Sequence, residues 1–178
     1  GDVWRMRART VPGEARVRVH DEVERTSVML MCSSVNRWGL DGAGLADWSL
    51  FPGGEGALRR RMDVHGSMFV SRCLVAMQEV VNNRLYERIR EREGMVYSVG
   101  MSFDPLYLMD GGFLSVSLMP FPEKLDESVE AVRTVLRDVL SEGVSEEEFE
   151  AARTPLVQEI TENLESNQYW VSLLEGLG

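Results

Sequence analysis

Apolar residues Phe69, Cys73, Met77, Val80, Val81, Leu85 and Ile89 recur at helical steps through the middle of the chain, and the run stops against Gly94. That spacing gives one apolar stripe along a helix and commits the helix to lie against a second layer. Ser67 is placed to cap its start, and Gly94 falls where a left-handed residue would end it. A helix from about Ser67 to Glu93 would measure roughly 40 Å at ~1.5 Å per residue. Asn82 and Asn83 are weak helix formers and mark an expected bend.

The second layer is found on both sides of this helix. Ala15 to Val19 sets Val17 and Val19 against Arg16 and Arg18, and Thr26 to Val35 is a β-rich run; an acidic turn, Asp21 to Glu24, separates them. Downstream, Val96 to Phe103 and Gly112 to Met119 read as an antiparallel hairpin joined by DPLYLMDG, with Leu114, Val116 and Leu118 alternating on its second arm. Pro122 then opens a helix carrying Leu125, Val129, Val132, Val135, Leu136 and Val139 on one side and closing at Gly143. Ser145 with Glu148 forms a capping box for a further helix, which Pro155 should kink. Between Trp38 and Gly56, six glycines and a proline predict a long loop or a broken helix. Strands, long helix, hairpin and two helices together predict an α+β fold, an antiparallel sheet with helices packed on one face. At 178 residues one domain spanning 1–178 is expected. The chain begins at Gly1 rather than Met, so a fragment of a longer multi-domain chain is expected.

Composition removes several functions. Residues 1–100 carry a net charge of +2 and residues 101–178 one of −12, which argues against nucleic-acid binding by the C-terminal half. The acidic excess lies on two amphipathic helices and reads first as solvated outer faces. No apolar stretch approaches the ~20 residues of a membrane span, and the arginine-rich opening GDVWRMRART has no hydrophobic core of its own. Cys32 and Cys73 each sit in an apolar stretch and are expected to be buried, reduced thiols.

The histidine inventory is the tightest chemical constraint. His20 and His65 are the only two and stand 45 positions apart, so no helix offers two imidazoles within one turn to a metal. Both read as structural or surface residues. A serine or cysteine nucleophile lacks a positioned base, FPGGEG has no Lys-Ser/Thr after it, and the acidic SEEEFE is explained by the dipole of a helix N-terminus. What remains is the corner Leu85 to Ser98, which sets Arg90 and Tyr97 on either side of Gly94. Guanidinium and phenol are donors able to hold a carbonyl oxygen as it gains negative charge, and neither generates a nucleophile from water. The plain alternative is a solvated last turn, since Arg88, Arg90 and Arg92 alternate with Glu87, Glu91 and Glu93.

RLYERIREREGMVYSV resembles a segment of the second, non-metal half of the insulinase/pitrilysin family of zinc metallopeptidases, the inverzincins. The similarity runs on through the hairpin, LMPFPEKLDESVEAVRTVLRDVLSEG and VSEEEFEAARTPLVQEI, over roughly residues 65 to 168. The resemblance implies a metallopeptidase half-domain of the LuxS/processing-peptidase type. In that family two homologous halves face each other, and the first carries H-x-x-E-H, with zinc activating water there. The second half supplies an Arg and a Tyr seven residues apart, a spacing Arg90 and Tyr97 match. By this carry-over both are auxiliary catalytic residues, acting in trans to the zinc half: Tyr97 would hydrogen-bond the scissile carbonyl or its tetrahedral intermediate, and Arg90 would hold substrate backbone or support Tyr97. The chain itself has no H-x-x-E-H, so no cofactor is expected in it and zinc is expected on the partner half. The implied partners are a homologous catalytic half, on the same chain or a separate subunit, and a peptide substrate. Members of the family occur in organelles, periplasm and cytosol. Apolar residues near the end, Trp170, Leu173 and Leu174, are expected to pack on a neighbour. A catalytically dead scaffold or assembly subunit is the competing reading, and an unrelated α+β interaction domain the third.

Overall fold

The computed structural model describes residues 13–14, 26–38, 54–66, 68–106 and 111–174. Strand β3 (Gly112–Pro120) is the centre of a three-stranded sheet, with β1 (Val28–Ser34) antiparallel on one side and β2 (Val96–Pro105) antiparallel on the other. Helix α1 (Gly54–His65) and α2 (Phe69–Leu85) precede β2, and α3 (Leu125–Glu142), α4 (Glu146–Asn163) and α5 (Asn167–Leu174) follow β3. The expected α+β architecture is what forms, with the sheet antiparallel and the helices covering one of its faces.

Alternation along the strands decides which face is covered. Val28 and Leu30 on β1, Met101 on β2, and Val116 and Leu118 on β3 point toward the helices and meet Val81 and Leu85 of α2 and Val132, Val135 and Val139 of α3. On the other face, Met29 and Met31 stay exposed. Gly112 closes the far end of the sheet: a Cβ there would lie 2.5 Å from the Val35 carbonyl oxygen and 2.7 Å from that of Asp104. Only a residue without a side chain lets these backbones approach so closely.

Helix α2 also seals the outer edge of β2 with amides. Asn82 Oδ1 accepts from the Met101 N–H at 2.6 Å while its Nδ2 donates to the Met101 carbonyl at 3.2 Å, and Gln78 Oε1 accepts from the Phe103 N–H at 2.8 Å. Asn82 therefore serves as an edge clasp. Helical bonding runs unbroken through Asn82 and Asn83, and the irregularity expected there falls instead at Tyr86–Arg92, a π-helical turn. The helix begins at Phe69 with Met68 at the cap position; Ser67 lies outside the described residues.

Helix α4 starts with the expected capping box, Ser145 Oγ accepting from the Glu148 N–H and Glu148 accepting from the Ser145 N–H. Glu148 has a second task. Arg84 on α2 donates to both of its carboxylate oxygens, at 2.6 and 2.9 Å, and to the Gly143 carbonyl at 2.8 Å. The Arg84 guanidinium, aided by the Ser145 donors, holds the Glu148 carboxyl down at about 2 from an ordinary 4.5. Because the folded value is the lower, this contribution is complete above pH ~4.5 and is lost as pH falls toward 2. With Glu148 partly solvated, screening limits it to about 1 kcal/mol. Glu148→Gln is expected to flatten the acid limb of stability between pH 5 and 2, read by urea unfolding at stepped pH; an unchanged slope would assign that limb to other carboxylates.

Other expectations are corrected or fall outside the described residues. Cys32 and Cys73 are free but exposed, not buried. Cys32 has the parity of the core-facing Leu30, yet it pairs with Leu114 toward the end of the sheet where cover thins from buried Leu118 and Val116 to half-buried Leu114. Partial desolvation pushes both thiols up. Helix α1 was hidden in sequence by Arg59-Arg60-Arg61 and by the glycines before it; its Leu58 is buried. The strand expected at Ala15 to Val19, His20, residues 39–53 and the Leu173 and Leu174 side chains lie outside what is described, while Trp170 is half exposed and donates to the Leu164 carbonyl at 2.9 Å.

Candidate functional site

The corner that carries Arg90 and Tyr97 is assembled by a change of helix type. From Tyr86 the helix widens to π geometry, in which residues five apart become neighbours. The Glu93 N–H donates to the Arg88 carbonyl at 3.0 Å, five residues back. Side chains repeat that offset: Arg88 pairs with Glu93 at 3.4 Å and Arg92 pairs with Glu87. The alternating charges of YERIRERE thus brace the wide turn. Ile89, wholly buried, anchors it to the core.

Gly94 ends the turn at φ +53, the left-handed conformation its position predicted. The Met95 N–H returns to the Ile89 carbonyl at 3.0 Å, and the Met95 carbonyl accepts from the Phe121 N–H at 3.1 Å, tying the corner to the end of β3. Between Val96 and Ser98 the pairing with β3 shifts register. Tyr97 is the extra residue, and a bulge of this kind turns a side chain out of the regular alternation. Tyr97 is 61% exposed, and its ring lies 4.3 Å, centroid to centroid, from that of Phe121, tilted by 55°.

Four arginines stand between Arg84 and Arg92, and the structure separates them. Arg84 is held by Glu148, Arg88 by Glu93 and Asp138, and Arg92 by Glu87. Arg90 has no carboxylate partner among the described residues; its guanidinium carbon sits 5.0 Å from the centroid of the Tyr86 ring. Arg88 and Arg92 are thus spent in ion pairs, whereas Arg90 stays exposed over an aromatic ring. Arg90 and Tyr97 flank one corner, each against its own aromatic neighbour, and no hydrogen bond joins them to each other. Arranged so, they offer an uncompensated cation and a phenolic donor to a ligand that brings acceptors.

Tyr86 and Phe121 went unnoticed in the sequence. The first is signalled only by its four-residue distance from Arg90; the second depends on the bulge, for which no sequence signal exists. Zinc does not fit the residues here: among those described, no group of three His, Cys, Asp or Glu side chains is placed to hold a metal ion. His65 is exposed at the end of α1, stacked on Phe69 at 5.3 Å. No described helix is long and apolar enough to cross a membrane.

A family model described as the peptidase M16 inactive domain matches residues 67–156, half of the chain and the stretch that contains Arg90 and Tyr97. The chain is 25% identical over 180 residues to the chloroplastic stromal processing peptidase of Arabidopsis thaliana and 28% identical over 176 residues to that of Pisum sativum. These alignments cover 91% and 90% of the chain, which spans only 14% of the length of either relative. An uncharacterised zinc protease of Mycobacterium leprae is 32% identical over 94 residues, covering 53% of the chain and 21% of that protein. Among solved structures, a peptidase M16 inactive domain from Pseudomonas fluorescens superposes with a TM-score of 0.53 at 18% identity, covering 77% of this chain and 27% of the other. That likeness bears on the fold.

Proposed function

Because the chain belongs to the peptidase M16 inactive domain family, we propose that it is a non-catalytic half of a zinc metalloendopeptidase, binding extended peptide and lending Arg90 and Tyr97 to hydrolysis on a homologous half. The observation that carries this is Arg90, exposed and, among the described residues, the one arginine of its segment without a carboxylate partner, at the same helix-to-strand corner as the exposed Tyr97. A permanent cation with no carboxylate partner among the described residues breaks no ion pair when a substrate carbonyl or carboxylate arrives.

In this reading the zinc belongs to the homologous half. Arg90 supplies up to five donors in a planar fork and orients substrate backbone. The Tyr97 O–H donates to the scissile carbonyl oxygen, and that bond strengthens as the oxygen gains charge. Arg90→Ala in the complete protein, assayed on peptide with both halves present, is expected to lower kcat/KM about tenfold to a hundredfold, as loss of a charged hydrogen bond does. Unchanged kcat/KM would leave the assembly-scaffold reading in its place.

A further inference from the structure

We infer that Tyr86 is a positioning residue for Arg90, holding the guanidinium over its ring so that the cation already stands beside the Tyr97 corner when substrate arrives; this rests on the role just proposed for Arg90. Gln78, Asn82, Tyr86 and Arg90 follow one another at steps of four. Gln78 meets β2 at Phe103 and Asn82 meets it at Met101, so the helix runs antiparallel to the strand along its outer edge. The row then enters the π turn, where Arg90 still sits over Tyr86, and the chain reverses at Gly94 into the start of β2, where Tyr97 is.

Two further facts single out Tyr86. It is 44% exposed, so burial alone does not account for an aromatic ring at this place. And Arg90, lacking among the described residues the carboxylate that restrains each arginine around it, has this ring, 5.0 Å from its guanidinium carbon, to narrow its rotamers. A ring leaves all the guanidinium N–H donors unspent at its edge, whereas a carboxylate would consume two of them.

The test uses the complete protein with its zinc-bearing half and compares Tyr86→Leu, Tyr86→Phe and Arg90→Ala. Tyr86→Leu should lower kcat about two- to fivefold with KM nearly constant, and Tyr86→Phe should restore it, since the π face and not the hydroxyl is used. In the wild-type protein with arginine selectively labelled, the Arg90 side-chain resonances should be displaced upfield by the ring and return toward ordinary arginine positions in Tyr86→Leu. Equal loss in Leu and Phe variants, an undisplaced Arg90 resonance, or full activity in Tyr86→Leu while Arg90→Ala is impaired would each overturn the positioning role and leave Arg90's own role standing. Full activity in Arg90→Ala would overturn both.

Discussion

Tyr97→Phe, in the complete protein acting on a peptide, is expected to lower kcat about a hundredfold while KM stays within about twofold. The substitution removes one oxygen and leaves the ring, so the contact with Phe121 at 4.3 Å and the bulge that presents the side chain are retained. With Tyr97 61% exposed and no hydrogen bond from its hydroxyl to a described residue, the fold has little stake in that group, and melting temperature should not move. What is lost is a donor whose bond is worth most when the carbonyl oxygen carries charge. A uniform ground-state contact would instead raise KM at constant kcat, and steady-state kinetics distinguishes the two. An unchanged kcat would remove Tyr97 from the chemistry and leave Arg90 as a binding residue alone.

Leu85→Ala is expected to destabilise the domain by about 3 kcal/mol, lowering its melting temperature by about 10 °C. Leu85 is wholly buried at the last α-helical position before the π turn, within the cluster formed with Val81, Ile89, Met101 and Val132. Trimming it loses transfer free energy and opens a cavity that two layers of rigid structure close only in part. Leu140→Ala on α3 is the control: that leucine is 84% exposed, and its change should stay within about 0.5 kcal/mol. Equal effects at the two positions, measured by urea unfolding, would mean that α2 does not pack on the sheet as described.

Periodic burial was legible from the residues alone. The stripe from Met77 to Ile89, the alternation of Leu114, Val116 and Leu118, the Gly94 stop and the Ser145–Glu148 box are local signals, each set by a few neighbouring residues, and each reappears in the fold, while Cys73, on the same stripe, is exposed. Pairings between distant elements were not legible. Nothing local says that Arg84 reaches Glu148, 64 positions away, or that Asn82 is spent on β2 and leaves the helix straight-bonded. The π turn falls between: its braces, Glu87–Arg92 and Arg88–Glu93, are local, but an offset of five reads as ordinary surface charge when an offset of four is assumed. Cys32 failed for a related reason, since parity identifies the face of a sheet and not how far along it the cover extends. At the candidate site, Arg90 and Tyr97 are singled out by type and spacing, and their aromatic neighbours, Tyr86 and Phe121, only by geometry.

The amide clasp on β2 bears on how such a half-domain behaves in crowded solution. An open strand edge is a template on which another chain can grow a sheet, the first step toward aggregates. At Met101 and Phe103 that template is already occupied, with Asn82 and Gln78 standing in for a neighbouring strand. Self-association through that part of the edge would require the chain to surrender three internal hydrogen bonds first, so the clasp works as a built-in brake on polymerisation.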